Sequence, residues 1–154
     1  MKKDEQENQV ASQSFSERQK IDASSLNGHR VVSLHSLKNQ RVIADKCVVA
    51  ETFWERLKGL MGHDGLAKGE AMLFPHCTSV HVWFMRFSID VVFLKSLRDS
   101  KQTLEVVSIT PSVKPWKILP VNCWKANHCL ELSAGSSALI ELQVGDRICL
   151  SSPL

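Results

Sequence analysis

The chain has 154 residues, the usual size of one domain, with enough length to bury a core without disulfides or structural metals. A hydrophobic fraction of 44% and a charged fraction of 23% exclude a chain disordered throughout. The net charge of +3 comes from interspersed signs, so there is no basic track with interleaved aromatic residues for nucleic acid, and no stretch approaches the roughly 20 apolar residues of a membrane-spanning helix.

Residues 1–29 are rich in Gln, Glu, Ser, Lys and Asp, with isolated apolar residues that cannot offset the entropy of ordering, and they read as a disordered polar tail. Asp4-Glu5-Gln6-Glu7-Asn8 stands where a leader would need an apolar core, so a cytoplasmic location is expected. Residues 30–154 read as a single globular domain. Arg30 to Leu37 and Arg41 to Ala50 alternate as two strands about a Lys38-Asn39-Gln40 turn. Thr52-Phe53-Trp54-Glu55 has capping-box spacing, which predicts a helix from there to about Met61 with Gly62 as its left-handed terminator.

Ala71 to Phe74 reads as a short buried strand ended by Pro75. Ile89 to Leu94 is β-branched and apolar apart from Asp90, and predicts a central strand. Leu104 to Ile109 pairs with it in a second hairpin, stopped by Pro111. Pro115-Trp116 and Leu119-Pro120 predict an extended loop. Cys129 to Leu132 reads as a strand, Gly135-Ser136-Ser137 caps a turn of helix through about Leu142, Gly145-Asp146 turns, and Arg147 to Leu150 closes as a strand. Hairpins with two isolated short helices do not alternate as βαβ units do. The expected fold is therefore α+β: a compact, β-rich domain whose antiparallel hairpins form a small, partly closed barrel.

The GxGxxG, GxxxxGK[ST] and GxSxG patterns are absent, which removes the common dinucleotide, P-loop and α/β-hydrolase readings. The five cysteines have no CxxC spacing and are expected as thiols, mostly small buried hydrophobes. Polar chemistry is densest from His76 to Arg86, followed by Asp90. Three readings stand. Cys77 and His81, with His76 and Met85, supply soft donors suited to zinc or copper(I), although no cofactor is called for outright. Cys77 is alternatively a nucleophile with His81 or His76 as base and Asp90 or Glu131 as the orienting carboxylate.

The leading reading is a binding module for a small molecule or peptide. Its pocket combines Arg56, Trp83, Met85, Asp90 and Glu131, and Arg56 or Arg86 pairs with Asp90. Asp90 facing solvent from an edge strand, and Glu131 lying on a solvated strand face, are the structural alternatives. Trp54, Trp116 and Trp124 read as core or loop anchors. A protein-docking adaptor is a further reading, and it requires an exposed apolar patch.

Five segments in order, Arg56-Leu57-Lys58-Gly59-Leu60-Met61-Gly62, Cys77 to His81 with Met85, Ile89 to Leu94, Leu130-Glu131-Leu132-Ser133-Ala134-Gly135 and Val144-Gly145-Asp146, resemble the domain of unknown function 192 family of bacteria and archaea. The resemblance spans about residues 31 to 150. It implies a compact β-rich domain with short helices and names no reaction. The signature positions it implies are Arg56, Met85, Asp90 and Glu131, while the Cys77 and His81 pair resembles one subset of the family.

Overall fold

A computed structural model describes residues 29–153, so the proposed tail lies almost wholly outside the described residues. Strand β1 (Arg30–Ser36) pairs antiparallel with β2 (Val42–Val49), as the alternation predicts. Helix α1 (Phe53–Lys58) follows, then β3 (Glu70–Pro75), β4 (Ser79–Val80), β5 (Ile89–Leu97), β6 (Ser100–Val113), β7 (Val121–Asn122), β8 (His128–Ser133), helix α2 (Ser136–Leu139) and β9 (Arg147–Ser151). The strands β1-β2-β3-β8-β5-β6-β9 close into a barrel, with β9 returning to β1, and β4 with β7 forms a separate two-stranded sheet. The α+β, β-rich barrel is thus as expected. It closes fully, and one pair, β2 with β3, is parallel rather than a hairpin.

The α1 capping box is present: Glu55 N–H donates to Thr52 Oγ1 at 3.2 Å and Thr52 N–H to Glu55 Oε2 at 2.7 Å. The helix ends earlier than predicted. Gly59, at φ 43°, takes the cap and its N–H reaches Glu55 O, so the positive-φ turn comes one helical turn before Gly62. Pro111 also fails to stop β6. Ile89 pairs with Val113 and Val91 with Thr110, so Pro111 and Ser112 together oppose Asp90 in a bulge. The bulge removes the ladder position that Pro111 could not fill and turns Ser112 into the left-handed region, at φ 49°.

Period-two alternation sorts the core into two layers. Leu73, Val92, Leu94, Leu130, Leu132 and Ile148 fill the barrel interior. Their strand neighbours Phe74, Val91, Phe93 and Cys129 face outward, yet they are buried too. Val80, Val82, Met85, Val113, Val121 and Ala126, from the segments around β4 and β7, pack over them as a cap. Strands β5 and β8 are therefore covered on both faces, which explains the unbroken apolar run of β5 and the full burial of Phe93 and Leu94. Burying each such side chain contributes about 1.5–3 kcal/mol.

Candidate functional site

Asp90 shares the interior-facing side of β5 with Val92 and Leu94 and is completely buried at the barrel mouth. Its Oδ1 accepts from the N–H groups of Ser112 at 2.8 Å and Gly135 at 3.0 Å. Its Oδ2 accepts from Ser137 N–H at 2.9 Å and Ser137 Oγ at 2.6 Å. Burial raises this carboxyl's affinity for a proton. The Ser137 hydroxyl and the three N–H groups outweigh that, and the pKa lies below the ordinary aspartate value.

The arginine pairing expected for Asp90 is corrected: Arg56 donates to Glu51 O at 3.0 Å, and Arg86 pairs with Asp64 at 2.7 Å. Nor does Asp90 face solvent from an edge. It caps α2 from a distance, where Gly135, at φ 85°, supplies no side-chain cap of its own. Its oxygens are committed to holding the β6 bulge and the β8–α2 turn in place.

Glu131 lies on the other side of the same wall. It pairs in register with Met72 on β3 and Val91 on β5, shares its face with Cys129, and is 4% exposed, so the solvated-strand alternative is also corrected. Among the described residues its carboxyl has no hydrogen-bond or ion-pair partner. Burial, with a smaller contribution from the charge of Cys77, raises its pKa to about 8.

Cys77 approaches from the cap. His76, at φ 55°, turns the chain after β3 so that Cys77 N–H donates to Asn127 O at 3.2 Å, and its half-buried side chain packs in the layer holding Cys129. Cys77 Sγ donates to Ser79 O at 3.2 Å. The Cys129 thiol, opposed by burial and helped by the Ser79 backbone and the Arg56 charge, lowers Cys77 to about 6. Burial, and then the nearby Cys77 side chain, push Cys129 well above its usual range.

Cys77, Met85, Cys129 and Glu131 thus belong to the outer layer, Arg56 is exposed on α1, and Asp90 belongs to the interior. A single pocket shared by Asp90 and Glu131 is not what the fold builds. His81 is exposed and lies against Trp83, with ring centroids 5.2 Å apart. Among the described residues no group of three or more His, Cys, Asp or Glu side chains is gathered to hold a metal, so the zinc or copper reading around Cys77 and His81 finds no donor set. A cleft of about 650 Å³ opens elsewhere, lined by Leu37, Lys95, Arg98, Asp99, Thr103 and Arg147.

The outer surface of the cap is aromatic. Trp83 and Phe84 precede β5, Trp116, Ile118 and Leu119 follow β6, and Trp124 follows β7; all are exposed, Ile118 at 81% and Trp124 at 83%. Phe84 and Trp116 meet edge to face at 5.2 Å, Trp83 Nε1–H donates to Lys117 O at 3.1 Å, and Trp116 N–H donates to Val82 O at 3.1 Å. Phe84 at φ 63° and Trp116 at φ 61° both hold left-handed backbone, a conformation that bulky residues adopt only when their surroundings impose it.

The family model for DUF192, described as uncharacterized ACR, matches residues 34–150. The chain belongs to the DUF192 family. Curated relatives of this DUF192 domain include a UPF0127 protein of Thermococcus sibiricus, 30% identical over 112 residues that cover 70% of this chain and 68% of the relative. A UPF0127 protein of Pyrococcus abyssi is 33% identical over 109 residues, covering 67% of this chain and 84% of the relative.

Two solved structures share the fold. A Novosphingobium aromaticivorans protein of unknown function has a TM-score of 0.64 at 22% identity, covering 78% of this chain and 84% of that one. A Sinorhizobium meliloti protein described as a candidate transcription regulator has a TM-score of 0.66 at 20% identity, covering 80% of this chain and 94% of that one. Neither likeness extends beyond fold.

In this DUF192 domain, sequence reasoning missed Cys129 as a member of the layer that Cys77 packs against. The available signal was its place two residues before Glu131, which puts both on one strand face. Trp116 and Trp124, read as core or loop anchors, lie exposed on loops rather than in the core, outside the layer that Val113, Val121 and Ala126 fill.

Proposed function

We propose that the domain is a binding module whose contact surface is the aromatic face of the cap, and that its ligand is an acidic, amphipathic peptide segment of a partner protein. The observation that carries this reading is the exposed cluster of Trp83, Phe84, Trp116, Ile118 and Leu119, held by the Phe84–Trp116 ring contact and the Trp83–Lys117 hydrogen bond. A contiguous patch of this kind is unusual on a monomer, and buried aromatic anchors dominate binding energy at protein interfaces. Lys114, Lys117 and Lys125 are exposed on the same loops, and residues 81–88 and 114–127 contain no Asp or Glu, which favours a ligand carrying negative charge. Fixed rings and strained backbone suit a directional protein contact better than a fluid bilayer. All five cysteines are free, which fits a cytoplasmic setting for such a module.

The test is selection from a displayed library of random peptides against the wild-type domain and against Trp116→Ala and Phe84→Ala variants of unchanged melting temperature. Enrichment of sequences combining acidic and apolar residues, with affinity falling tenfold or more in the variants and falling with added salt, is expected. Selected peptides indifferent to both substitutions, or binding only to anionic phospholipid vesicles, would overturn the reading.

A further inference from the structure

The far end of the barrel carries a second concave surface, built by the β5–β6 hairpin. Leu97 pairs with Ser100 across a two-residue turn, yet the next pair is Ser96 with Leu104, so residues 101–103 are extra on β6 and bend the hairpin. Ser100 Oγ holds the bend, donating to Thr103 Oγ1 at 3.2 Å and accepting from Gln102 N–H at 3.2 Å. On the neighbouring strands Leu37 N–H donates to Arg147 O at 2.9 Å, which carries the chain past the end of β1 alongside β9. The cleft of about 650 Å³ lies here, with Leu37 and Leu97 as its apolar walls. Strand β5 starts beside the cap and ends at this hairpin, and at about 3.3 Å per residue its two ends are roughly 26 Å apart, so the cleft is separate from the aromatic face.

Its charges are uneven. Lys95, Glu105 and Arg147 stand in one cross-strand row with the carboxylate between the two cations. Lys95 takes that carboxylate, Nζ to Oε1 at 3.5 Å, which leaves the Arg147 guanidinium with no ion pair or hydrogen bond among the described residues. Arg98, in the turn, has none either, and Asp99 is the single carboxylate lining the cleft against Lys95, Arg98 and Arg147. Thr103 Oγ1 accepts from Ser100, so its own hydroxyl hydrogen stays free to donate. Uncommitted guanidinium groups and a free hydroxyl at a concave, partly apolar surface are a donor set suited to a tetrahedral oxyanion.

We propose that this cleft binds a small phosphate monoester, its phosphate held by Arg98, Arg147 and the Thr103 hydroxyl, and its organic part lying against Leu37 and Leu97. Each guanidinium presents paired N–H groups to two phosphate oxygens, and a dianion answers the surplus of cations better than a single carboxylate does. The volume of the cleft is that of an ordinary small-ligand site. A nucleic-acid strand fits less well, because the lining holds no aromatic side chain on which a base would stack and Asp99 interrupts any cationic track.

The experiment titrates the full chain with phenyl phosphate, inorganic phosphate and benzoate at constant ionic strength, with calorimetry and backbone amide NMR shifts as readouts. Phenyl phosphate is expected to saturate one site, to bind about tenfold or more tightly than benzoate, and to shift the amides of residues 95–103 and 147 while leaving those of residues 116–119 in place. Inorganic phosphate should compete for the same site more weakly, since it has nothing to lay against Leu37 and Leu97. Arg98→Gln and Arg147→Gln should each weaken phenyl phosphate about tenfold or more at unchanged melting temperature. Shifts that miss the cleft, benzoate binding as tightly, inorganic phosphate binding as tightly, or arginine variants that bind like the wild type would overturn the proposal. So would a short single-stranded oligonucleotide that binds more tightly than phenyl phosphate. The shifts of the unsubstituted chain decide the location even where a variant fails to fold.

Discussion

Asp90 and Glu131 lie one register step apart on neighbouring strands, Asp90 opposite Leu132 and Glu131 opposite Val91, and they face opposite sides of the barrel wall. Both are buried carboxyls, yet their environments drive them apart. Asp90 accepts four hydrogen bonds and is held ionised, whereas Glu131 accepts none among the described residues and burial favours its neutral form.

Replacing Asp90 with Asn puts an amide NH₂ among donors already aimed at the carboxylate and leaves buried N–H groups unpaired. Asp90→Asn is expected to lower unfolding stability by about 3–5 kcal/mol, read from urea denaturation at pH 7. The folded pKa is depressed, so this contribution is present above the ordinary aspartate value and disappears as pH falls through the lower folded value. A variant as stable as the wild type at pH 7 would mean that the clasp carries no energy.

Glu131 has the opposite sign. Its folded pKa is raised from 4.5 to about 8, so the folded state keeps a proton that the unfolded chain gives up. The contribution is complete below about 4.5 and is lost as pH rises through about 8, at up to roughly 1.4 kcal/mol per pH unit in that window. Stability measured in urea from pH 5 to 8 should fall less steeply for Glu131→Gln than for the wild type. Parallel slopes would rule out a neutral buried Glu131.

The β6 bulge requires left-handed backbone at Ser112 and an N–H aimed at Asp90. Ser112→Pro can supply neither and should lose at least about 2 kcal/mol, whereas Ser112→Gly keeps both and should stay within about 1 kcal/mol of wild type. Thermal melts of the two variants check the contrast, and equal melting temperatures would refute it.

Gly69, at φ 90°, immediately precedes β3, and a Cβ there would stand 2.5 Å from Asp45 Oδ1. Its carbonyl accepts from Lys46 N–H where the parallel β2–β3 pairing begins. Gly69→Ala is expected to cost about 1–2 kcal/mol through backbone strain and displacement of Asp45, measured by chemical denaturation. An unchanged denaturation midpoint would show that the loop relaxes freely.

Local chemistry was legible from the residues themselves. The Thr52–Glu55 capping box, the β1–β2 hairpin and the β-branched run of β5 each depend on side chains a few positions apart, and all three form as read. The end of α1 and the course of β6 through Pro111 were misread, because Gly59 and a bulge were each available where a simpler stop signal stood nearby.

The sequence by itself determined that this is a β-rich domain, since alternation and capping act within short windows, and five of its segments carry the resemblance to the DUF192 family. Only the tertiary structure decided what its carboxyls and thiols do. The groups that hold Asp90 come from positions 22, 45 and 47 residues away. The burial of Glu131 follows from a cap whose segments precede β5 and follow β6, and that same cap brings Cys77 into the layer that holds Cys129. An outward-facing strand residue looks solvated in any local window, and its charge state is fixed by whatever distant chain comes to cover it.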